Sequence, residues 1–419
     1  MGIFVQKFGG TSVGSIKNIK NIAKQIKLFY KKKNKIIVVV SAMSGETNRL
    51  LSLAKNMYNE KQVNNIYKNR ELDILISTGE QVTIALLSMA LNIVGVQAKS
   101  YTGAQVSIFT DSVYTKARIK HIDTSIINKD INNNTIVIVA GFQGIDKYGN
   151  ITTLGRGGSD TTAVALATSI KADECQIYTD VSGVYTTDPR LCKTSSLLSY
   201  ITVEEMLELS SLGSKVLQIR SVEFAGKYNI PLRVLSVFDN NPGTLIIKKR
   251  SILANHMEKT LISGITYNCN EAELTVLNVS DGVPGVCYTI LRQISEADIL
   301  LQNIKTINKQ VELTFTLSKY DYKTNYPLIK EYVCKQLCGQ IEGYDKIVKI
   351  SIIGIGITSH SYVAKKLIYI LEKQGITIRL LSISEIQISI IIDEPNMDLS
   401  IKVLHTTFHL DQTYIQEEL

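Results

Sequence analysis

The 419-residue sequence has no tryptophan, only six prolines, and no stretch of eighteen apolar residues. A membrane-spanning helix needs about 20 such residues, and the longest runs, such as Ile36–Val40, have the length of a strand. The first residues, Met1–Gln6, lack the basic segment and the cleavage site of a signal peptide. We therefore expect a cytoplasmic protein with no membrane partner.

Side chains that bind metal ions are also scarce, with six cysteines and five histidines in the chain. The closest cysteine pair, Cys334 and Cys338, has no second pair or nearby histidine to complete a zinc site. His405 and His409 lie four residues apart, but no glutamate stands between them as in a metalloprotease helix. The sequence therefore predicts no protein-bound metal and predicts reduced, structural thiols at the scattered cysteines, Cys175, Cys192, Cys269, Cys287, Cys334 and Cys338.

The formal net charge is +8, which raises the question of nucleic acid. The lysines are spread along the chain, and the one dense cluster, Lys31–Lys35, separates a helical pattern from a strand. A solvated helix end explains that cluster, with a basic patch for nucleic acid as the alternative. We predict no nucleic-acid partner, and note that a positive balance also suits an enzyme that binds anions.

Strand and helix patterns alternate through the first 250 residues. Strands are predicted at Gly2–Phe8, Lys35–Ser41, Thr135–Ala140 and Glu174–Thr179. Helices are predicted at Ser15–Tyr30, Glu80–Leu91 and Thr161–Ile170. This alternation predicts an α/β domain whose mainly parallel sheet is covered by helices on both faces.

The remainder of the chain contains two segments that resemble each other. The first runs from Leu274 to Ala297 and the second from Val348 to Ser382, and each reads as strand, glycine turn and helix. The repeat length of roughly 70–80 residues and the two copies favour two small domains over a solenoid.

Two glycine-rich turns in the first domain are suited to anions. In the first, Lys7 precedes Gly9 and Gly10, and we expect Thr11 or Ser12 to cap a helix whose free N–H groups face phosphate. In the second, residues 155–162, an arginine able to hold a carboxylate and an aspartate able to orient Lys7 or a magnesium-bound phosphate stand beside the glycines. Either turn alone has a purely structural explanation, but the pair is more specific.

Three further motifs follow predicted strands or open predicted helices. Residues 41–48 carry small hydroxyls after a buried strand, where a helix cap is the alternative explanation. Ser77–Glu80 reads as a glycine turn opening a helix, with Glu80 either answering the helix dipole or receiving an ammonium group. Thr179–Arg190 could frame a nucleotide, or form an ordinary turn-rich loop.

These segments resemble the aspartate kinases over essentially the whole chain. The matching motifs, in order, are KFGGTSV, SAMSGETN, STGEQ, TTLGRGGSDTT, YTDVSGVYTTDPR and SLGSKVLQIRSVEFA. The resemblance implies phosphorylation of L-aspartate by ATP, the first step towards lysine, threonine and methionine. It also implies an α/β amino-acid-kinase domain over residues 1–250 and two βαββαβ ACT domains over 262–340 and 345–419, with no fused dehydrogenase.

The resemblance further implies roles for single residues. Lys7 and Asp160 would be catalytic. Aspartate would be bound by Thr47, Glu80, Arg156 and Ser159. ATP, carrying Mg²⁺, would be bound by Lys7, Phe8, Gly9, Gly10, Ser41, Thr179, Asp180, Tyr185, Arg190 and Lys215. A carboxylate is already a nucleophile near neutral pH, so no general base is needed, only positioning and charge neutralisation.

The resemblance implies that the ACT domains bind an effector, which would be lysine, threonine or both. It also implies that the ACT domains pair across subunits and form a homodimer or higher oligomer. The effector residues would be Asp281, Gln302, Asn303, Ser382, Ser384 and Glu385. Three departures stand out: the turn Ser280–Gly285 is one residue longer than usual, the stretch Ala297–Asn303 is shorter, and Thr358 replaces a common arginine. Our hypothesis is weakened or lost feedback inhibition with an intact kinase.

Other interpretations remain open. Kinases of the same fold that act on glutamate, acetylglutamate, carbamate or UMP lack the Ser77–Glu80 motif in this context and the tandem tail. A non-catalytic amino-acid sensor would be favoured by loss of Lys7, Asp160 or Arg156, and all three are present. Met257 stands where some relatives start a separate regulatory subunit, although a linker methionine is an equal explanation.

Overall fold

The structure, a computed structural model, describes residues 2–57, 65–214, 216–248, 262–280, 299–307, 310–336, 338–357 and 361–411. The chain divides into two units. The first comprises Met1–Tyr185, Leu197–Ser211 and Lys215–Glu258, and the second comprises Thr186–Ser196, Leu212–Ser214 and Lys259–Leu419.

An eight-stranded sheet forms the centre of the first unit, with the strand order β10-β12-β11-β9-β1-β2-β6-β3. All neighbours are parallel except β11 and β12. Its strands are β1 Ile3–Phe8, β2 Lys35–Val40, β3 Ala98–Tyr101, β6 Ile136–Ala140, β9 Glu174–Thr179, β10 Tyr200–Thr202, β11 Leu232–Ser236 and β12 Thr244–Ile247. A smaller sheet has the order β5-β4-β7-β8, with β4 Ile108–Thr110, β5 Ile119–Ile122, β7 Gln143–Ile145 and β8 Ile151–Thr153.

The helices of this unit are α1 Ile16–Tyr30, α2 Glu46–Met57, α3 Asn65–Ile93, α4 Ser125–Asn132, α5 Gly158–Ser169, α6 Val203–Ser211 and α7 Ile219–Tyr228. Strands β2 and β6 consist almost entirely of valine and isoleucine because both of their faces are buried. On one face, α1 and α3 pack their apolar sides over these strands, with Ile22, Leu87 and Leu91 fully buried. The α/β prediction for this part of the chain is confirmed.

Two local predictions were wrong. Ser77–Glu80 does not open a helix but lies inside α3, where Gly79 gives space for the neighbouring loop rather than a turn. A Cβ on Gly79 would lie 2.8 Å from the Cβ of Ala42. Helix α1 is not capped by Thr11 or Ser12, because it begins later and Ser15 Oγ accepts a hydrogen bond from Asn18 N at 3.2 Å.

Helix α3 contains a segment, Lys68–Ile93, that is long and apolar enough to cross a membrane by length and composition. Half of its most apolar window is buried inside the unit, and the segment carries two buried carboxylates, Asp73 and Glu80. These are the properties of a central core helix, since such a helix is apolar on most of its faces.

The second unit contains two four-stranded antiparallel sheets, ordered β15-β16-β14-β17 and β13-β18-β20-β19. The strands are β13 Gly264–Asn268, β14 Glu271–Ser280, β15 Ile299–Ile307, β16 Gln310–Ser318, β17 Gln340–Tyr344, β18 Ile347–Ile353, β19 Leu380–Ile383 and β20 Gln387–Asp393. The helices are α8 Lys319–Gln336, α9 Ser361–Lys373 and α10 Met397–Thr407, the last preceded by a short 3₁₀ helix, Glu394–Asn396.

The chain order of the two small modules differs from the sequence prediction at β13. We expected the first module to span residues 262–340, but β13 within that range pairs with β18 of the second module, with Ile265 opposite Ile352. Ile265 is buried in the second module's core, together with Ile350 and Leu367. The second module therefore has the chain order ββαββα, its edge strand β13 comes from upstream, and the first module is inserted between β13 and β18.

The close approach at Gly79 leads to a first prediction. Alanine is about 1 kcal/mol better than glycine inside a helix, but here its Cβ would collide with Ala42. We expect Gly79→Ala to lower the free energy of unfolding by about 1–3 kcal/mol, measured by urea denaturation. The double variant Gly79→Ala with Ala42→Gly restores the space and should recover most of that loss. A single variant as stable as the parent would show that the loop yields at no cost.

Candidate active site

The carboxyl ends of β1 and β2 and the start of α5 surround a cavity of ≈ 280 Å³ in the first unit. In an open α/β sheet this edge is where ligands bind. Eight of the predicted site residues line it: Lys7, Gly10, Ser41, Thr47, Glu80, Arg156, Ser159 and Asp160. The two glycine turns and the polar loop after β2 thus meet at one place, although they are distant in the sequence.

An ion pair lies at the wall of this cavity. Lys7 Nζ, from β1, is 2.6 Å from Asp160 Oδ1, in the first turn of α5, and each side chain is 11% exposed. The carboxylate also lies at the positive end of the helix dipole. The pair holds a lysine ammonium in a poorly solvated position at the cavity wall, which suits it to a phosphoryl group.

Glu80 is the second acidic residue of the cavity and has an unusual environment. It is 3% exposed, and its Oε1 accepts a hydrogen bond from Ala42 N at 3.0 Å. Its Oε2 is buried and has no hydrogen-bond partner among the residues that the structure describes. Burial raises the pKa of Glu80 to about 7. A carboxylate in this state gains most from a ligand that brings a positive charge.

Arg156 stands between two glycines in the turn before α5. Gly155 has φ +77° and Gly157 has φ +69°, a backbone conformation that only glycine adopts without strain. Gly157 precedes the first residue of α5 as its N-cap. The Arg156 side chain is exposed and makes no hydrogen bond or ion pair with any described residue. Arg156 therefore places a cation at the cavity wall, and the backbone of the turn determines where that cation lies.

Phe142 is a cavity residue that the sequence analysis missed. It follows β6 and has φ +69°, which is strained for an aromatic residue. Its N–H donates to Thr162 Oγ1 at 3.1 Å, and its carbonyl accepts from Leu154 N at 2.9 Å. The signal in the sequence was the preceding glycine, Gly141. The structure shows why a glycine is needed there, because a Cβ would lie 2.7 Å from Ser159 Cβ.

Five further predicted nucleotide residues do not line the cavity: Phe8, Gly9, Thr179, Asp180 and Tyr185. Gly9 N donates to Tyr178 O at 3.2 Å, which joins the first turn to the end of β9, where Thr179 and the exposed Asp180 follow. Tyr185 forms an isolated bridge with Leu197 in the same unit. The Phe8 side chain is buried and stacks on Tyr178 with ring centroids 4.7 Å apart, so only its backbone is available to a ligand.

Arg190 and Lys215 differ from the rest of that predicted set. Arg190 belongs to the second unit, where its Nη2 lies 2.7 Å from Asp188 Oδ2. Lys215 lies outside the described residues. The nucleotide-binding roles of both residues stay predictions.

The predicted effector residues are distributed over the two small sheets. Gln302 lies at a register irregularity of β15 and donates to Thr316 Oγ1 at 2.9 Å, while Asn303 is exposed. In the second sheet, Ser382 lies in β19, Ser384 N donates to Gln387 O at 2.8 Å, and Glu385 is exposed. Asp281 and Thr358 lie outside the described residues.

Comparison with known proteins gives matches along the whole chain. Residues 2–236 match the amino acid kinase family, and residues 350–408 match an ACT domain. The chain is 52% identical to an aspartokinase of Pseudomonas aeruginosa over 422 residues, with 100% of both chains covered. It is 43% identical to an aspartokinase of Geobacillus stearothermophilus, with 98% of each chain covered.

Solved structures agree with this pattern. Escherichia coli aspartokinase III in complex with aspartate and ADP has a TM-score of 0.75 at 24% identity, covering 97% of this chain and 99% of that one. An aspartate kinase from Synechocystis has a TM-score of 0.53 at 37% identity, covering 97% of this chain and 69% of that one. Because its identity to this chain is only 24%, the Escherichia coli structure supports the fold alone.

The environment of Glu80 predicts a pH-dependent stability. Its folded pKa of about 7 exceeds the ordinary value of 4.5, so the folded state keeps the proton between these pH values while the unfolded state releases it. The free energy of unfolding therefore falls as the pH rises through this window. At pH 8, without added ligand, we expect Glu80→Gln to be more stable than the parent by up to about 3 kcal/mol.

Urea denaturation of both proteins at pH 5 and pH 8 checks this expectation. The advantage of Glu80→Gln should shrink at pH 5, where the parent carboxyl is protonated. An advantage of the same size at both pH values would mean that burial does not penalise the charge of Glu80.

Proposed function

The chain belongs to the aspartate kinase family, within the amino acid kinases, and from this premise we propose that the cavity around Lys7 and Glu80 is its catalytic site. The reaction transfers the γ-phosphoryl group of ATP to the side-chain carboxylate of L-aspartate and gives ADP and 4-phospho-L-aspartate. One observation carries the assignment: a buried lysine–aspartate ion pair shares a cavity with a buried carboxylate, one oxygen of which has no hydrogen-bond partner among the described residues.

We infer that Glu80 receives the ammonium group of aspartate. Its buried, unpartnered Oε2 is destabilised until a cation arrives, so the ligand's positive charge stabilises the ionised form. Arg156 at the cavity wall would hold a carboxylate of the substrate, assisted by the hydroxyls of Thr47 and Ser159. With the ammonium group and one carboxylate bound in this way, the side-chain carboxylate would be left to act as the nucleophile.

Phosphoryl transfer requires charge neutralisation rather than acid–base chemistry. Lys7 would contact the transferring group, and Asp160 would keep the ammonium of Lys7 at its position. The backbone at Phe8, Gly9 and Gly10 would approach the phosphates. The remaining nucleotide contacts are proposed at Ser41, Thr179, Asp180, Tyr185, Arg190 and Lys215.

The site fits Mg²⁺ as a partner of ATP. Within the described ranges no three histidine, cysteine, aspartate or glutamate side chains cluster to hold an ion by themselves. Mg²⁺ keeps several waters and commonly binds through substrate phosphates, so it would enter the site with ATP while Asp160 stays paired with Lys7. When bound with ATP, the ion supplies neutralisation of phosphate charge.

The second unit is proposed as the regulatory part, with an effector pocket involving Asp281, Gln302, Asn303, Ser382, Ser384 and Glu385 and lysine or threonine as ligands. The register irregularity at Gln302 lies within the stretch that is shorter than in relatives, which supports altered feedback. We also propose a cytoplasmic location, homodimers or larger oligomers formed through the ACT modules, and domain limits near residues 250 and 345.

A kinase assay tests both halves of this proposal. The purified chain, with ATP and Mg²⁺, should release ADP with L-aspartate and not with L-glutamate. Addition of lysine plus threonine should inhibit weakly or not at all, because the changes in the first module fall at the effector position. Inhibition with full potency would refute the feedback hypothesis alone. A folded protein without turnover on aspartate would refute the catalytic assignment and favour an amino-acid sensor.

Glu80→Gln should separate the two substrates. Loss of the charge that receives the ammonium group should raise KM for aspartate on the order of 10²-fold and leave KM for ATP unchanged. In the parent, KM for aspartate should rise as the pH falls below about 7, and the variant should lose this dependence. The control is Glu205→Gln, since Glu205, in α6, is about as buried as Glu80 but accepts hydrogen bonds from Thr202 N and Oγ1 at the end of β10. Equal effects of both variants on KM would contradict the role of Glu80.

A further inference from the structure

Arg220 carries two backbone contacts that the catalytic assignment does not use. It lies in α7, inside the motif SLGSKVLQIRSVEFA, and is half-buried. Its Nη1 donates to Leu154 O at 2.8 Å and its Nη2 donates to Ala117 O at 2.9 Å. No carboxylate in the described part of the chain lies within ion-pair distance of it. Its guanidinium is therefore used to join two chain segments by their carbonyl groups.

Asp73 makes the complementary contacts from the other side. It is fully buried in α3, and its carboxylate accepts from Thr153 N at 2.8 Å and from Thr153 Oγ1 at 2.7 Å. It also accepts from Thr115 N at 3.0 Å. A buried carboxylate persists only when hydrogen bonds compensate its desolvation, and here three donors from two chain segments do so.

These contacts converge on Thr153 and Leu154, the two residues immediately before the turn that carries Arg156. Thr153 O also accepts from Ala117 N at 2.9 Å, and Leu154 N donates to Phe142 O at 2.9 Å. All four backbone polar groups of Thr153 and Leu154 are thus hydrogen-bonded. The chain is fixed up to the residue before Gly155.

Fixation at this point bears directly on Arg156, which stands two residues after Leu154. Its side chain has no partner among the described residues, and its two neighbours are glycines with left-handed backbone conformations. Glycine gives the turn its shape at a high cost in conformational entropy. The anchored backbone upstream and α5 downstream therefore limit where the guanidinium can reach.

We propose that Asp73 and Arg220 are positioning residues for Arg156, which hold its turn in the place required to bind aspartate. This inference rests on the proposed role of Arg156 as a carboxylate ligand. Asp73 and Arg220 touch no substrate; they act through the backbone of Thr153 and Leu154. A misplacement of a binding group by about 1 Å can cost on the order of 10²-fold in catalytic efficiency.

Steady-state kinetics of Arg220→Met and Arg220→Lys tests the proposal. We expect Arg220→Met to raise KM for aspartate about ten-fold and to leave KM for ATP within about two-fold. Arg220→Lys should lie between, because an ammonium group can reach one of the two carbonyls. Thr153→Val is a milder variant that removes the Oγ1 bond to Asp73 at nearly constant volume, and it should shift the same constant in the same direction.

The control is Arg233→Met. Arg233 is a partly buried arginine of the same unit that forms a two-bond ion pair with Glu174, at 3.0 and 3.1 Å, near the amino ends of β11 and β9. Its loss should lower the melting temperature and leave KM for aspartate unchanged. If Arg233→Met raised KM for aspartate as much as Arg220→Met does, the effect would be general destabilisation and the inference would be overturned.

A double-mutant cycle with Arg156→Ala separates this inference from the proposed function. If Arg220 acts through Arg156, the double variant should have the KM of Arg156→Ala alone; multiplied effects would overturn the inference. A raised KM in Arg156→Ala with an unchanged KM in both Arg220→Met and Thr153→Val would overturn the inference alone. An unchanged KM in Arg156→Ala would refute the role of Arg156 and this inference with it.

Discussion

The ion pair between Lys7 and Asp160 joins the central strand of the large sheet to the helix that the second glycine turn introduces. Each partner is nearly nine-tenths buried, so removal of either leaves a charge with little solvent to stabilise it. The pair therefore fixes the end of β1 against the first turn of α5. The other groups of the site, Glu80 from α3 and Arg156 from the turn, are arranged around this fixed contact.

Several features of the cavity destabilise the protein when no ligand is present. Glu80 is buried with one oxygen unpaired, and Phe142 has a strained backbone. Neither would persist in a site selected for stability alone, because such costs are kept where function requires them. The surrounding structure offsets them through well-packed strands and through the network that Asp73 and Arg220 form around Thr153 and Leu154.

The sequence predicted the parts of the molecule that depend on local pattern. Buried strands such as β2 and β6 consist almost entirely of β-branched or apolar residues, and the second glycine turn precedes a helix with a recognisable composition. Features that depend on a distant partner were not predictable. Gly79 reads as a turn unless Ala42 is known to lie against it, and the contacts of Arg220 reach carbonyls 66 and 103 residues away.

The partner of β13 is a further case, and it has a consequence for regulation. The first small module is inserted between β13 and β18, and each link, residues 269–270 and 345–346, is two residues long. The two ends of the insertion are held together by the β13–β18 ladder, and Arg379 ion-pairs with Glu273 of the first module and with Asp393 of the second. Two short links and a shared arginine restrict independent motion of the modules. We therefore expect a change in the sheet of one module to be transmitted to the other.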